Sequence, residues 1–152
     1  MKKSNFDSLN INGNDEILTQ MLNKALEAKN NAYVKYSGFP IGVSILTKDG
    51  NIVTGFNIEN ASYSLTICAE RAAFASFLTQ GYKTTNIDKI LVVGDVDAPI
   101  SPCGACREFM SEFIHDNVEI ILVGKKDKIK TSINELLPHR FTKQFTGLFK
   151  EG

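Results

Sequence analysis

Three cysteines are the residues whose spacing most clearly predicts chemistry. Cys103 and Cys106 form a Cys-x-x-Cys pair, and Cys68 lies 35 positions before Cys103. Residues three apart share one face of a helix, so both sulfurs of the pair can point at one ligand. Thiolates bind metals, and zinc accepts sulfur ligands in a tetrahedral set. The sequence therefore predicts one zinc ion per subunit, held by these three sulfurs.

Glu70 and Arg71 follow closely after the first cysteine. Three cysteines leave the fourth zinc position open, which is typical of a catalytic zinc that holds water. A carboxylate beside such a water can take its proton and return it elsewhere, so we predict that Glu70 is the catalytic acid and base. A guanidinium that donates to the sulfurs offsets their surplus charge, which we predict for Arg71. The alternatives are a helix N-terminal carboxylate for Glu70 and a surface salt bridge for Arg71.

Two histidines are the candidates for a fourth ligand. A helix that begins at Cys103 places His115 near its far end, about 13 Å from Cys106, which is too far to coordinate the metal. His139 is not excluded by geometry, although an exposed loop histidine is the simpler interpretation. A non-catalytic zinc module closed by His139 is one alternative function, and a thiol–disulfide protein that uses Cys103 and Cys106 is another.

Composition and charge narrow the class of protein. The 152 residues favour a single domain over residues 13–152, preceded by a flexible arm over residues 1–12. Seventeen basic residues balance 17 acidic ones, which argues against nucleic-acid binding, and the basic stretch 125–130 is better explained as a solvated turn. No signal peptide and no membrane span are expected, because the required apolar runs do not occur. We expect a cytoplasmic protein whose three cysteines do not form disulfides.

Helices and strands alternate along the chain and must position these residues. Helical spacing of apolar residues predicts four helices, over residues 14–34, 68–81, 103–117 and 131–138. Period and composition predict strands over residues 88–96 and 118–124 and a hairpin of residues 41–47 and 52–58. Gly13 or Asn14 is the expected first N-cap, and Ser44 on a buried strand must bond a backbone group. Strands separated by helices imply parallel pairs, whereas the hairpin is antiparallel. This order of helices and strands along the chain predicts a mixed sheet in a three-layer α/β/α domain.

Several motifs, in one order, resemble a known family. "CAE" followed by "PCGAC" resembles the cysteine-ligated zinc deaminase signature, in which a glutamate is the acid and base. "YSGFPIGVSILTKDG", "GFNIENASYSLTICAER", "SPCGACREFMSEF" and "ELLPHRF" resemble the small cytidine deaminases, from about Leu22 to Phe141. The resemblance implies their α/β fold with a mixed, about five-stranded sheet. It also implies zinc-dependent hydrolytic deamination of cytidine and 2′-deoxycytidine in pyrimidine salvage.

The resemblance further implies which residues bind the nucleoside. They are Phe39, Asn57, Glu59, Asn60, Ala61, Tyr63, Ala69 and Phe141. Phe39 is expected against the pyrimidine ring, and Asn57 and Glu59 on the ribose hydroxyls. Ala61 and Tyr63 are expected at the 5′-hydroxyl from a neighbouring subunit, and Phe141 is expected to reach an adjacent subunit's site. The resemblance implies a homotetramer with shared active sites, with a dimer as the alternative. The alternatives are a polar turn for Asn57 and Glu59, and a core-filling side chain for Phe141.

Two related enzyme classes remain as alternatives. Deaminases of aminopyrimidine antibiotics carry similar zinc motifs, but "NIENASY" at residues 57–63 favours a plain ribose. Polynucleotide editing is disfavoured by the neutral net charge, because strand-binding proteins carry a basic groove.

Overall fold

The computed structural model describes residues 15–141, which contain four α-helices, five strands and two 3-10 helices, Tyr63–Leu65 and Thr84–Asn86. The helices are α1 (Glu16–Lys29), α2 (Ala69–Thr79), α3 (Gly104–Ser111) and α4 (Ile133–Leu136). The strands are β1 (Ile41–Thr47), β2 (Ile52–Phe56), β3 (Ile87–Gly94), β4 (Glu119–Val123) and β5 (Lys128–Thr131). The predicted arm over residues 1–12 lies outside the described residues. Within them, no helix is long and apolar enough to cross a membrane.

The strands form one mixed sheet in the order β2-β1-β3-β4-β5. β3 and β4 run parallel, joined by a crossover through α3, whereas the other neighbouring strands are antiparallel. In the β1–β2 hairpin turn, Gly50 has a φ of 89°, a conformation that glycine adopts without the steric cost of a Cβ. The predicted hairpin and mixed sheet are confirmed.

Helices cover both faces of the sheet and create two apolar cores. The first core joins α1 to one face through Leu18, Met21, Leu22, Ala25, Leu46, Leu91, Val93, Ile121 and Val123. The second joins α2 and α3 to the opposite face through Val43, Ile45, Ala73, Phe74, Phe77, Ile90, Val92, Met110 and Ile120. Successive residues of β3 therefore alternate between the two cores, as a strand period of two requires. The predicted three-layer α/β/α class is confirmed.

A buried serine links the first helix to the sheet. The Ser44 hydroxyl donates a hydrogen bond of 2.9 Å to the carbonyl oxygen of Met21 on α1. A buried hydroxyl without a partner would destabilise the fold, so this bond explains how the strand accommodates a polar residue. The expectation that Ser44 bonds a backbone group is confirmed.

The ends of α1 differ from those predicted. Asp15 is its N-cap, and the Asp15 side chain accepts a hydrogen bond of 3.2 Å from the Leu18 amide. The predicted caps, Gly13 and Asn14, lie outside the described residues. The helix ends at Lys29 rather than at residue 34, because the backbone beyond it pairs with residues 57 and 59 instead.

The third helix is also shorter than predicted. α3 ends at Ser111 instead of residue 117, and the chain continues in tight turns, with the Phe113 amide bonded to the Met110 carbonyl at 2.9 Å. Ile114 still packs in the second core, so its apolar periodicity extends past the regular helix. His115 therefore follows α3 rather than lying on it.

The fifth strand corrects part of the interpretation of residues 125–130 as a solvated turn: residues 125–127 form the turn after β4, whereas β5 begins at Lys128. β5 pairs antiparallel with β4, with Ile129 opposite Leu122. Lys130 forms an ion pair of 3.5 Å with Glu119 on the neighbouring strand. Lysines on an edge strand discourage pairing with other chains. Lys128 and Lys130 thus belong to a sheet edge, whereas Lys125 and Lys126 lie in the turn before it.

Gly55 of β2 sets the distance between the sheet and α2. A Cβ at this position would lie 2.3 Å from the Ala73 amide nitrogen and 2.8 Å from the Ala69 carbonyl oxygen. Gly55→Ala must therefore push α2 away from the sheet, and we expect it to lower the free energy of unfolding by about 3 kcal/mol. Denaturant titration followed by circular dichroism measures this change.

Gly104→Ala is the matched control for this prediction. Gly104 is the first residue of α3, and a Cβ there meets nothing within 4 Å. The same substitution should leave the free energy of unfolding unchanged or raise it by up to about 1 kcal/mol. Equal unfolding midpoints for wild type and Gly55→Ala would contradict the close approach of α2 to the sheet.

Candidate active site

The three predicted ligand cysteines lie together where two helices begin. Cys68 is the N-cap of α2 and Cys103 is the N-cap of α3, both in extended backbone conformation. Cys106 follows in the first turn of α3 and is fully buried. All three sulfurs lie within 4.8 Å of one another, and those of Cys68 and Cys103 are 3.9 Å apart. The convergence of two helix N-termini on one locus is confirmed.

The sulfur geometry fits a zinc ion. Zinc–sulfur distances of about 2.3 Å in a tetrahedral site place neighbouring sulfurs about 3.8 Å apart. The separation of 3.9 Å between Cys68 and Cys103 agrees with this value. Thiolates are soft ligands that favour zinc over magnesium or calcium, and the dipoles of α2 and α3 favour negative charge at their first residues. These residues are therefore suited to hold zinc.

The histidines do not complete this ligand group. Within residues 15–141, the only group of three or more potential ligand side chains within 4.8 Å consists of the three cysteines. His139 is exposed and has a φ of 54°, and His115 is exposed as well. The geometry of the described residues thus contradicts a four-ligand module closed by His139.

The sulfurs carry their charge unequally in the metal-free protein. A hydrogen bond from Cys106, with further contributions from Arg71, lowers the pKa of the Cys68 thiol to about 5. The same bond to Cys68 and burial raise the pKa of Cys106. The surroundings of Cys68 therefore favour its thiolate form, and a thiolate is the form that binds a metal.

Glu70 is buried beside the cysteines. It lies in the first turn of α2, two residues after Cys68, and is 5% exposed. Burial raises the pKa of its carboxyl group, and the neighbouring Cys68 charge raises it further. A carboxyl group whose pKa moves towards neutrality is suited to accept and return a proton. Its burial distinguishes Glu70 from an ordinary solvated carboxylate at a helix N-terminus.

The Arg71 guanidinium lies at the edge of the cysteine cluster. Its Nη2 donates a hydrogen bond of 2.9 Å to the Thr66 carbonyl, and its buried Nε has no hydrogen-bond partner. Contact with the Cys68 sulfur raises the pKa of Arg71. None of the ion pairs among residues 15–141 includes Arg71. Its surroundings therefore favour a role beside the sulfurs over a surface salt bridge.

Asn57 uses both ends of its amide to organise the chain around Phe39. The Asn57 Oδ1 accepts a hydrogen bond of 2.9 Å from the Ile41 amide. Its Nδ2 donates a bond of 2.9 Å to the Phe39 carbonyl. These bonds fix the backbone on both sides of Pro40 and leave the Phe39 side chain partly exposed. Asn57 thus positions the predicted ring-packing residue, a role that the sequence did not indicate.

Glu59 is anchored by the turn that precedes Phe39. Its carboxylate accepts hydrogen bonds from the Tyr36 amide at 2.8 Å and the Ser37 amide at 3.1 Å. The Ser37 hydroxyl donates to it as well. These bonds, above all the one from the Ser37 hydroxyl, lower the pKa of Glu59. The side chain is therefore an ionised acceptor, as binding of a ribose hydroxyl requires.

A cleft of about 280 Å³ opens beside Glu59. Its lining residues are Tyr36, Ser37, Glu59, Tyr63 and Thr66. The rings of Tyr36 and Tyr63 meet edge to face, with centroids 5.7 Å apart. Thr66 connects the cleft to the cysteine cluster, because its carbonyl holds Arg71. Sequence reasoning missed Tyr36, Ser37 and Thr66, although the first two belong to the "YSGFP" motif.

The other predicted substrate residues differ in exposure. Tyr63 is 74% exposed and Phe141 is 66% exposed, so Phe141 does not fill a core gap within this chain. Ala61 is exposed, whereas Ala69 is buried next to Glu70. The Asn60 side chain accepts a hydrogen bond of 2.9 Å from the amide of residue 62. Their contacts with a nucleoside stay predictions.

Comparison with known proteins identifies relatives of this chain. Residues 15–122, which include the three cysteines and Glu70, match the model of the cytidine and deoxycytidylate deaminase zinc-binding region. A cytidine deaminase of Sporosarcina psychrophila is 40% identical over 126 residues, which are 82% of this chain and 91% of that protein. A crystal structure of cytidine deaminase from Burkholderia pseudomallei has a TM-score of 0.78 and 41% identity, covering 81% of this chain and 98% of its own. A blasticidin-S deaminase of Bacillus cereus is 36% identical over 111 residues, which are 68% of this chain and 77% of that protein.

Proposed function

This chain belongs to the cytidine and deoxycytidylate deaminase family, and we infer that it is a zinc-dependent hydrolase that converts cytidine and water to uridine and ammonia. The observation that carries this inference is the set of three sulfurs within 4.8 Å of one another, with buried Glu70 two residues from Cys68. The relatives named cytidine deaminase support the substrate.

Each residue of the cluster has a chemical task in this reaction. Cys68, Cys103 and Cys106 would hold zinc, which when bound would supply a Lewis acid and lower the pKa of water. Glu70 accepts one proton of the water that adds to C4 of the ring and passes this proton to N3. Glu70 then takes the proton of the resulting C4 hydroxyl and passes it to the amine, so that the C4–N bond breaks, ammonia leaves and the C4 carbonyl forms. Arg71 offsets part of the negative charge on the sulfurs.

The residues around the cleft recognise the nucleoside in this proposal. The ionised carboxylate of Glu59 accepts a hydrogen bond from a ribose hydroxyl, and Asn57 holds Phe39 against the pyrimidine ring. Asn60, Ala61 and the Ala69 backbone complete the contacts. The substrates are cytidine and 2′-deoxycytidine, which places the reaction in pyrimidine salvage.

The proposed assembly is a homotetramer with shared active sites. The exposure of Tyr63 and Phe141 supports it, since large aromatic side chains at the surface are suited to contact a second subunit. Membrane and nucleic-acid partners are not part of this proposal, in keeping with the equal numbers of acidic and basic residues. A cytoplasmic location stays a prediction.

The test combines metal content with turnover of competing substrates. Purified protein should contain about one zinc per subunit and convert cytidine with the ultraviolet change of cytosine to uracil. Blasticidin S is the competing substrate, because a deaminase of this antibiotic is also a relative. A kcat/KM higher for blasticidin S than for cytidine would overturn the nucleoside assignment while retaining the deaminase chemistry.

A further inference from the structure

Arg107 makes three side-chain hydrogen bonds that join separate parts of the chain. Its Nε donates to the Pro102 carbonyl at 2.8 Å, and its Nη2 donates to the Ser101 hydroxyl at 2.6 Å. Its Nη1 donates to the Leu136 carbonyl at 2.8 Å. The Arg107 backbone amide also donates to the Cys103 carbonyl at 2.9 Å. One residue thus contacts both the segment that enters the metal site and the end of α4.

The segment before Cys103 depends on these hydrogen bonds because few of its side chains are buried in the protein. Ser101 and Cys103 are exposed, and Pro102 alone between them is buried. The direction in which the backbone enters α3 determines where the Cys103 sulfur lies. Arg107 binds residues 101 and 102 from within α3, so it fixes that direction from the same helix turn that carries Cys106.

The third bond joins α3 to the end of α4. Leu136 is the last residue of α4, where the final carbonyl groups of a helix lack partners within the helix. An arginine that donates to such a carbonyl fixes the start of the following chain. That chain leads to Phe141, five residues later. Arginine suits this junction because its planar fork presents several donors in fixed directions, whereas lysine has one ammonium group.

We propose that Arg107 is a positioning residue. It holds the segment that precedes the Cys103 ligand, and the chain leading to Phe141, at fixed positions relative to α3. It acts through the Ser101 hydroxyl and through the backbone carbonyls of Pro102 and Leu136. The inference rests on zinc binding by the three cysteines, as the proposed function states. It does not depend on which compound is deaminated.

Arg140 provides a matched control on the same chain segment. Its guanidinium donates to Asn134 at 2.7 Å and to Asp116 at 2.6 Å. It therefore joins the residues after α4 to Asn134 on α4 and to Asp116 after α3. None of these bonds goes to residues 101–103. Arg107→Ala and Arg140→Ala should both loosen the chain before Phe141, but only the first should loosen the metal site.

The experiment measures zinc release from the loaded protein into a chromogenic chelator. We expect Arg107→Ala to release zinc about 10–100-fold faster than wild type, the usual effect of removing a partner that orients a ligand. Arg107→Lys should restore part of the retention, and Ser101→Ala should show a smaller acceleration. Arg140→Ala should release zinc at the wild-type rate. Of Arg107→Ala and Arg140→Ala, only the first should show faster hydrogen exchange at the amides of residues 100, 101 and 103.

Several outcomes overturn the proposal. One is a wild-type rate of zinc release in folded Arg107→Ala, and another is equal acceleration in Arg107→Ala and Arg140→Ala. A third is a release rate that follows the unfolding midpoint across all variants, since a merely structural residue behaves in that way. If Arg107→Ala does not fold, wild-type release rates in both Arg107→Lys and Ser101→Ala overturn it. Zinc release is measured without nucleoside, so failure of the deamination assay is a separate result.

Discussion

Replacement of Glu70 by glutamine is expected to lower kcat for cytidine by about 10³-fold or more while leaving about one zinc per subunit. General acid and base catalysis by one group contributes typically 10²–10⁴-fold. Glu70 would serve several proton transfers in one turnover, so the upper part of that range applies. Glutamine has nearly the same volume and keeps hydrogen-bonding atoms, but it cannot carry a proton between water and the ring.

The structure explains why the metal should remain. Glu70 is not a member of the ligand group, in which three sulfurs lie within 4.8 Å of one another. An amide in its place removes a buried group that resists ionisation, because burial raises the pKa of the Glu70 carboxyl. The three thiolates are unchanged in this variant. Steady-state kinetics by ultraviolet absorbance and zinc analysis of the same preparation separate the two effects.

Glu16→Gln is the matched control. Glu16 also lies in the first turn of a helix, but it is exposed and far from the cysteines in sequence. If Glu70 served only to complement the dipole of α2, both substitutions would cost about 0.3–1 kcal/mol of stability and neither would affect turnover. Wild-type kcat in zinc-loaded Glu70→Gln would therefore remove the acid and base role.

The cluster of three cysteines was predictable because local spacing encodes most of its geometry. Cys103 and Cys106 share one helical turn, and an N-cap position places Cys68 at the start of the preceding helix. Burial of Glu70 follows from the same turn, since α2 packs its first residues against the sheet. The local sequence around the cysteines and Glu70 is therefore enough to predict where their side chains lie.

The supporting bonds were not predictable, because they join residues that are distant in sequence. Arg107 meets Leu136, which is 29 positions away, and Glu59 meets Tyr36, which is 23 positions away. Asn57 was expected on the ribose hydroxyls, which stays a prediction, but its two bonds to the backbone near Phe39 were not indicated by the sequence. No pattern of residue types indicates which carbonyl a side chain will reach once the sheet has formed.

The ends of helices and strands were also hard to predict, because they too depend on contacts with residues distant in sequence. The sequence predicted each of the four α-helices within residues 15–141, yet α3 stops at Ser111 while Ile114 still packs in the core. β5 is four residues long and lysine-rich, so its alternation was hidden and only its pairing with β4 defines it. Short edge elements depend on neighbours more than on their own composition.

Replacement of Cys103 by serine is expected to lower zinc affinity more than 100-fold and to abolish measurable deamination. Removing a partner that merely orients a ligand costs 10–100-fold in affinity, so loss of a sulfur ligand must cost more. Serine nearly preserves the shape of the side chain, and Cys103 is exposed, so the fold should survive. Competition with a chelator of known affinity measures the loss, and circular dichroism checks the fold.

His139→Ala decides between this site and the two rival uses of the cysteines. A zinc module closed by His139 would lose its metal in this variant as readily as in Cys103→Ser, whereas a site of three sulfurs retains it. The exposed position of His139, outside the ligand group, favours retention. A thiol–disulfide protein would show no stoichiometric zinc in the wild type, and Cys103→Ser would then change no metal content. Zinc loss in Cys103→Ser with retention in His139→Ala is therefore the pattern that only an open three-cysteine site produces.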